Sequence, residues 1–190
     1  MNILAIDEGN QQSGLCIIGE DYKPLAFGKF DNEDILADRG ILAQYVKEYS
    51  PEIVVFEEIA NYGSAVGTYI FWTCYALGRM YQWLLDHYQG DIMEYDPRAK
   101  VSTRRVAYTK DNIQFVKRKQ YITDLTGNPK ANDSIIKQYL IDRFAPNTPN
   151  YGKGTKQNKG FFYGMSKDAW SAYAICVWAM DNYLGNIAHL

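Results

Sequence analysis

Residues 2–7 (NILAID) form an apolar run that closes on an acid, and residues 14–19 (GLCIIG) form a second. A polar turn containing Gly9 joins them, so the pair predicts an antiparallel hairpin. Residues 24–30 predict a third strand. Residues 33–49 place Ile35, Leu36, Ile41, Leu42, Tyr45 and Val46 near helical spacing with charges between them, which predicts a helix with one buried face. Residues 53–56 (IVVF) are a continuous apolar run, the pattern of a strand covered on both faces, and they end on Glu57 and Glu58. A helix over 65–88 and a strand over 91–95 follow, giving the order β-β-β-α-β-α-β in one mixed sheet.

The second half has another character. It predicts three helices, over 110–122, 133–144 and 166–184, with Thr109, Asp133 and Ser166 as N-caps, and no further strand. Between the last two lies 145–164, rich in Gly, Asn, Pro and Lys. A structureless segment of that length in a compact domain is characteristically functional. Without an internal repeat or a second core, the chain reads as one domain over 1–190 with a flexible loop at 145–164.

Composition adds bounds. The 190 residues are 47% hydrophobic, 22% charged and 15% aromatic, which suits one folded domain and excludes disordered, collagen-like and disulfide-scaffold classes. The net charge of −2 suggests no polyanionic partner. Divided, the chain tells otherwise: residues 1–96 hold five Lys/Arg against sixteen Asp/Glu, and residues 97–190 hold fifteen against six. Such asymmetry is a cue for a nucleic-acid or membrane partner. Cys16, Cys74 and Cys176 are too few and too scattered for a disulfide framework and read as reduced, mostly buried thiols. Asp7 and Glu8 interrupt any signal-peptide core, and 65–85, the most apolar stretch, is broken by Gly67, Gly78 and Arg79, so the expectation is a cytoplasmic protein with no membrane span.

Three acids close three core elements: Asp7 the first strand, Glu57 the buried strand, and Asp168 the start of the last helix. If the first and fourth strands are parallel neighbours, Asp7 and Glu57 lie together at one sheet edge, and a final helix starting there adds Asp168. Acids so close repel unless divalent cations neutralise them. Oxygen ligands without His or Cys favour Mg²⁺ or Mn²⁺ over zinc. Singly, each acid also fits an ordinary role as a turn former, a solvated strand end or a helix N-terminal charge. The Ile6-Asp7-Glu8-Gly9 run followed by Gly14 also resembles the first phosphate loop of sugar kinases and Hsp70-type ATPases, which need two such domains and a longer chain.

Together, residues 3–9 with Gly14, residues 54–58 (VVFEE) and residues 168–174 (DAWSAYA) resemble the RuvC-like Holliday-junction resolvases of the RNase H-like fold, particularly the bacteriophage-encoded branch. The resemblance spans most of the chain. It implies an α/β, five-stranded mixed sheet flanked by helices, and a homodimer that cuts branched DNA with two Mg²⁺ ions per active site, Mn²⁺ substituting. It makes Asp7, Glu57 and Asp168 the catalytic metal ligands. The family's fourth acid falls on Ser171, so Ser171 or Glu58 is the candidate for the remaining position. Where bacterial members place a wedging aromatic, this chain has Ala60, and Tyr62 is the nearest substitute. Hydrolysis of this kind needs no covalent nucleophile, in keeping with a chain whose only histidines are His87 and His189.

Two further surfaces follow from the residues. Arg98, Lys100, Arg104, Arg105, Lys110, Lys117, Arg118 and Lys119 stand against Asp111 alone, a one-sign patch suited to phosphates. Lys153, Lys156 and Lys159, interleaved with Tyr151, Phe161, Phe162 and Tyr163, predict a mobile arm whose aromatics stack on exposed bases. The helix after Glu57 is apolar nearly all round, and a sheet covers one side only. Tyr69, Phe71, Trp72 and Tyr75 are therefore expected at a homodimer interface. The reading is a Mg²⁺-dependent endonuclease that resolves four-way junctions. A flap, fork or RNA–DNA hybrid nuclease of the same fold, or an inactive DNA-binding module, stands as the alternative.

Overall fold

The computed structural model describes residues 1–60, 63, 65–87, 92–96, 101–105, 108–166 and 169–187. Asp168, Tyr62, Arg98 and Lys100 fall outside these. Strands β1 (Asn2–Asp7), β2 (Gln12–Gly19) and β3 (Pro24–Asp31) form the expected meander, followed by helices α1 (Asn32–Leu36) and α2 (Ile41–Tyr49) and strand β4 (Ile53–Glu58). Helix α3 (Thr68–His87) leads to strands β5 (Ile92–Asp96), β6 (Val101–Arg105) and β7 (Ile113–Lys117), then helices α4 (Arg118–Thr126), α5 (Asp133–Phe144) and α6 (Trp170–Ile187).

The main sheet has the order β3-β2-β1-β4-β7. β1 is antiparallel to β2 and parallel to β4, with Ile3 facing Ile53 and Ile6 facing Phe56. β1 and β4 are central, and their side chains alternate between two cores. Ile3, Ala5 and Val55 pack with Tyr173, Ala172 and Cys176 of α6 and with residues of α4 and α5. Leu4, Ile6, Val54 and Phe56 face the opposite way, onto Leu42 and Val46 of α2 and Met80 and Leu84 of α3. Burial on both faces is why these two strands read as unbroken apolar runs.

Several expectations are corrected. The predicted 33–49 helix is two helices, because the chain turns at 37–40: Gly40 N–H bonds Ala37 O at 2.7 Å, and a Cβ on Gly40 would lie 2.4 Å from Asp34 O. The 91–95 strand does not join the main sheet; as β5 it pairs antiparallel with β6 in a separate two-stranded sheet. The fifth strand is instead β7, parallel to β4 from Val54–Ile113 to Glu58–Lys117, where a 110–122 helix was expected. Thr109 caps no helix: its N–H bonds Asn112 Oδ1 and its Oγ1 accepts from Asp111 N–H, a tight turn that feeds β7 into the sheet. The α5 cap is Asn132, whose Oδ1 accepts from Ile135 N–H at 3.1 Å, rather than Asp133. Helix α6 starts at Trp170, so Ser166 lies before it.

The 145–164 segment is not structureless: it is built from turns. Backbone bonds cross it, among them Gly160 N–H to Lys153 O (2.8 Å) and Phe162 N–H to Gly152 O (3.0 Å), and Phe162 is fully buried against Trp170 and Tyr173. Phe161 stacks on Phe144. Cys16 and Cys176 are buried thiols as expected, whereas Cys74 is exposed on α3. Among the described residues, no helix is long and apolar enough to cross a membrane.

Candidate active site

The parallel register that sets Ile6 beside Phe56 carries each strand one residue further, to Asp7 on β1 and Glu57 on β4. By alternation both carboxylates follow the Ile3–Ala5 and Val55 face, toward α4 and α6. Ser171, in the first turn of α6, lies close enough to the Asp7 carboxylate to pull its pKa down. The fourth-acid position of the resemblance therefore lies against Asp7, and α6 begins at the sheet edge where the two acids meet. Among the described residues, no group of three acids, histidines or cysteines is placed to hold a metal, and Asp168 is not among those residues.

Glu57 is held from α4. Tyr121 donates its hydroxyl hydrogen to Glu57 Oε2 at 2.8 Å, and Arg118 Nη1 donates to the Tyr121 oxygen at 2.9 Å. The guanidinium lies 3.7 Å from Glu57 Oε2 and is braced on its other side by Asp133 at the start of α5. Burial, and then the neighbouring Asp7 charge, push Glu57 up to about 7, while the Tyr121 bond and Arg118 pull it down. Burial also raises Asp7 above the usual carboxylate range, against the pull of Arg118 and of Ser171. In both acids burial outweighs the pull of Arg118.

Glu8 and Glu58 project toward α3. With Glu57, Arg118, Ile70 and Thr73 they line a cleft of about 310 Å³. Among the described residues Glu8 Oε1 is buried without a hydrogen-bond partner, and burial, with Asp7 and Glu57 adding to it, pushes that carboxyl well above its ordinary value. Glu58 is half-exposed and its Oε2 lies 3.9 Å from Lys117 Nζ.

The turn that delivers Asp7 is locked by two buried polar residues. Ser13 Oγ donates to Asn32 Oδ1 at 2.7 Å, Asn32 Nδ2 donates to Gly9 O at 3.0 Å, and Gly9 N–H donates to Ser13 Oγ at 3.3 Å. Gly9 has no room for a side chain, because a Cβ there would lie 2.1 Å from Gln12 O.

Sequence reasoning missed Tyr121, Glu8, Ser13 and Asn32. Tyr121 carried one usable signal, its spacing of three from Arg118 on one helix face. Of the predicted basic patch, Lys110, Lys117 and Lys119 are exposed, whereas Arg118 points into the acidic site. Arg104 and Arg105 lie on β6. Lys156 and Lys159 are exposed and Lys153 half-buried. Tyr69, Phe71, Trp72 and Tyr75 all stand exposed on α3, at 57% to 66%.

The strand order, with helices on both faces and α6 laid across β1 and β2, defines an RNase H-like α/β fold, as the sequence led one to expect. The solved structures it matches include RuvC from Thermus thermophilus, with a TM-score of 0.59 at 15% identity over 97% of both chains. They also include T. thermophilus RuvC in complex with Holliday junction substrate, with a TM-score of 0.61 at 14% identity over 97% of this chain and 96% of that one. No family model and no curated protein matches the sequence.

Proposed function

We propose that this chain is a homodimeric, divalent-cation-dependent DNA endonuclease of the RuvC type that resolves four-way junctions, acting in the cytoplasm, that of a host cell if the gene is carried by a phage. The observation that carries the reading is the meeting of Asp7 and Glu57 at the ends of parallel β1 and β4 in a fold shared with a protein solved on Holliday junction substrate. The donors suit Mg²⁺: they are oxygens, from two raised carboxylates and the hydroxyl of Ser171. Two Mg²⁺ ions, or Mn²⁺ in their place, would be held by Asp7, Glu57 and Asp168, and would supply a lowered water pKa and charge stabilisation at the leaving oxygen.

The chain's own residues do the rest. Tyr121 fixes one oxygen of Glu57, Oε2. Ser171 orients Asp7. Arg118, held by Asp133 and Tyr121, sets a permanent positive charge beside the acids, where it can grip the phosphate of a bound strand. Lys110, Lys117, Lys119, Arg104 and Arg105 supply phosphate contacts that fix the register of the duplex. The exposed aromatic face of α3 supports pairing of two protomers, which sets two active sites about a two-fold axis as symmetric cleavage requires.

The test is incubation of labelled four-way junction, flap, fork, duplex and RNA–DNA hybrid with the protein in Mg²⁺ or EDTA. Paired nicks in the junction are expected, abolished by EDTA and by Asp7→Asn, while the Asp7→Asn variant still binds the junction. Binding without metal-dependent cutting would make this a DNA-binding module, and preferential cutting of another substrate would reassign the specificity.

A further inference from the structure

Asn150, Tyr151 and Gly152 stand in succession at positive φ, 54°, 58° and 79°. Glycine adopts this region freely and asparagine tolerates it, but a tyrosine there is a strained outlier that persists only where the surroundings enforce it. Here they do. Gly152 N–H bonds Thr148 O, Lys153 N–H bonds Asn150 O, Gly154 N–H bonds Pro149 O, and Asn150 Nδ2 bonds Gly154 O at 2.8 Å. Fully buried Phe162 nails the far side of the loop to the core. The result is to hold the Tyr151 ring outward, 65% exposed.

That ring has neighbours. Lys137, on α5, places Nζ 4.2 Å from the Tyr151 ring centroid and 5.4 Å from that of Trp170. Trp170 is buried, and among the described residues its Nε1 has no hydrogen-bond partner. The next residue, Ser171, lies beside the Asp7 carboxylate. The exposed ring thus sits two side chains from the helix turn that touches the candidate metal ligands. No Asp or Glu occurs between residues 145 and 166, while Lys153, Lys156 and Lys159 do. A rigid aromatic face under a lysine, in a loop of one charge sign, is the chemistry that takes an unstacked base with its flanking phosphates.

We propose that Tyr151 and Lys137 form a base-stacking subsite, in which Tyr151 receives an unpaired base next to the branch point and Lys137 steadies the adjoining phosphate. The assignment rests on the nuclease reading above and goes beyond it by naming a second point of substrate recognition, apart from the metal acids. Unstacking costs least for a base that is already unpaired, so such a subsite favours a branch whose bases have opened over continuous duplex.

The experiment uses a four-way junction carrying 2-aminopurine at the nucleotides flanking the branch point, titrated with the full chain in Ca²⁺ so that binding is read without cleavage. The wild type changes the probe's fluorescence on binding, and so do Tyr151→Phe and Tyr151→Trp. Tyr151→Ala binds roughly tenfold more weakly and loses the change, as expected for one lost stack. Tyr151→Gly behaves as Tyr151→Ala although its melting temperature does not fall, since glycine suits the positive φ, and this separates recognition from folding. Lys137→Ala lowers the slope of log affinity against log salt by about one. Tyr183→Ala, another exposed tyrosine farther along α6, changes nothing. Equal affinity and equal fluorescence for Tyr151→Ala and wild type would overturn the subsite and leave the nuclease reading standing; a wild type that binds no DNA would overturn both.

Discussion

Tyr121 donates a 2.8 Å hydrogen bond to Glu57 Oε2, linking the first turn of α4 to the end of the central strand β4. A donor on that oxygen stabilises the ionised carboxylate and opposes the burial that raises its pKa to about 7. Removing the hydroxyl therefore raises Glu57 further. In Tyr121→Phe the acid limb of the kcat/KM profile should move to higher pH by about one unit, as expected for losing one hydrogen bond to a charged group. Cleavage should be depressed at pH 7 and largely recovered by pH 9. A pH profile of junction cleavage checks this, and an unshifted acid limb would remove Tyr121 from any part in setting Glu57.

The raised pKa of Glu57 is also a statement about stability. The folded state binds a proton at Glu57 up to about pH 7, whereas the unfolded chain releases it near the ordinary 4.5, so between those values the native state holds more protons. Metal-free protein must then lose stability as pH rises through that window, with Glu57 contributing on the order of 3 kcal/mol. Glu57→Gln removes the contribution. At pH 8, in EDTA, the variant should melt higher than the wild type while cutting nothing, and added Mg²⁺ should raise the wild-type melting temperature more than that of the variant. Thermal melts across pH 4–8, with and without metal, decide the point.

What could be read from the sequence follows burial. β1 and β4 lie in the middle of the sheet with apolar cores on both faces, so their patterns were unbroken and the acids ending them stood out. β7 lies at the sheet edge: Ile113 and Val116 are buried, but Gln114, Phe115 and Lys117 are exposed, and five residues flanked by charges carried no strand signal strong enough to outweigh a helical reading. The break between α1 and α2 depends on the close approach of Gly40 to carbonyls of the preceding turn, which no hydrophobic period records. The 145–164 loop reads as structureless because its composition is that of a linker. Its asparagines and glycines instead take the positive φ angles that fold it, at Asn147, Asn150, Gly152, Gly154 and Gly164. Asp7 and Glu57 could be paired from strand ends alone, whereas Tyr121 and Asn32 reach the site from elements whose placement only the fold supplies.

Asn32 and Ser13 are buried and hydrogen-bonded to each other and to Gly9, one turn away from Asp7. Replacing Asn32 by Ala strands the Ser13 hydroxyl and the Gly9 carbonyl without their partner, a loss of about 1–3 kcal/mol in stability. Because Gly9 is two residues from Asp7, the same change should lower kcat more than it raises KM, the pattern of a misplaced catalytic group. Denaturant melts and steady-state kinetics on the junction test the two effects separately. A stability loss with unchanged kcat would confine the lock to folding.

The outer face of α3 is where the proposed dimer would form. Tyr69, Phe71, Trp72 and Tyr75 are all more than half exposed, Trp72 and Tyr75 pack edge to face at 6.0 Å, and Arg79 lies over the Tyr75 ring while its guanidinium pairs with Glu33. Exposed aromatic side chains grouped in this way are a cue for an interface. Phe71→Glu with Trp72→Glu places two charges in it without touching Ala76, Met80 and Leu84, the residues that fasten α3 to the sheet, so the fold should stand. The wild type should sediment as a dimer and the double variant as a monomer with an unchanged circular dichroism spectrum. Coupled cleavage should separate with it: the monomer should nick single strands of the junction at unpaired times, whereas the dimer cuts two opposed strands within one bound complex. Wild-type protein that sediments as a monomer at tens of micromolar would remove the dimer from the proposed mechanism and leave α3 free for another partner.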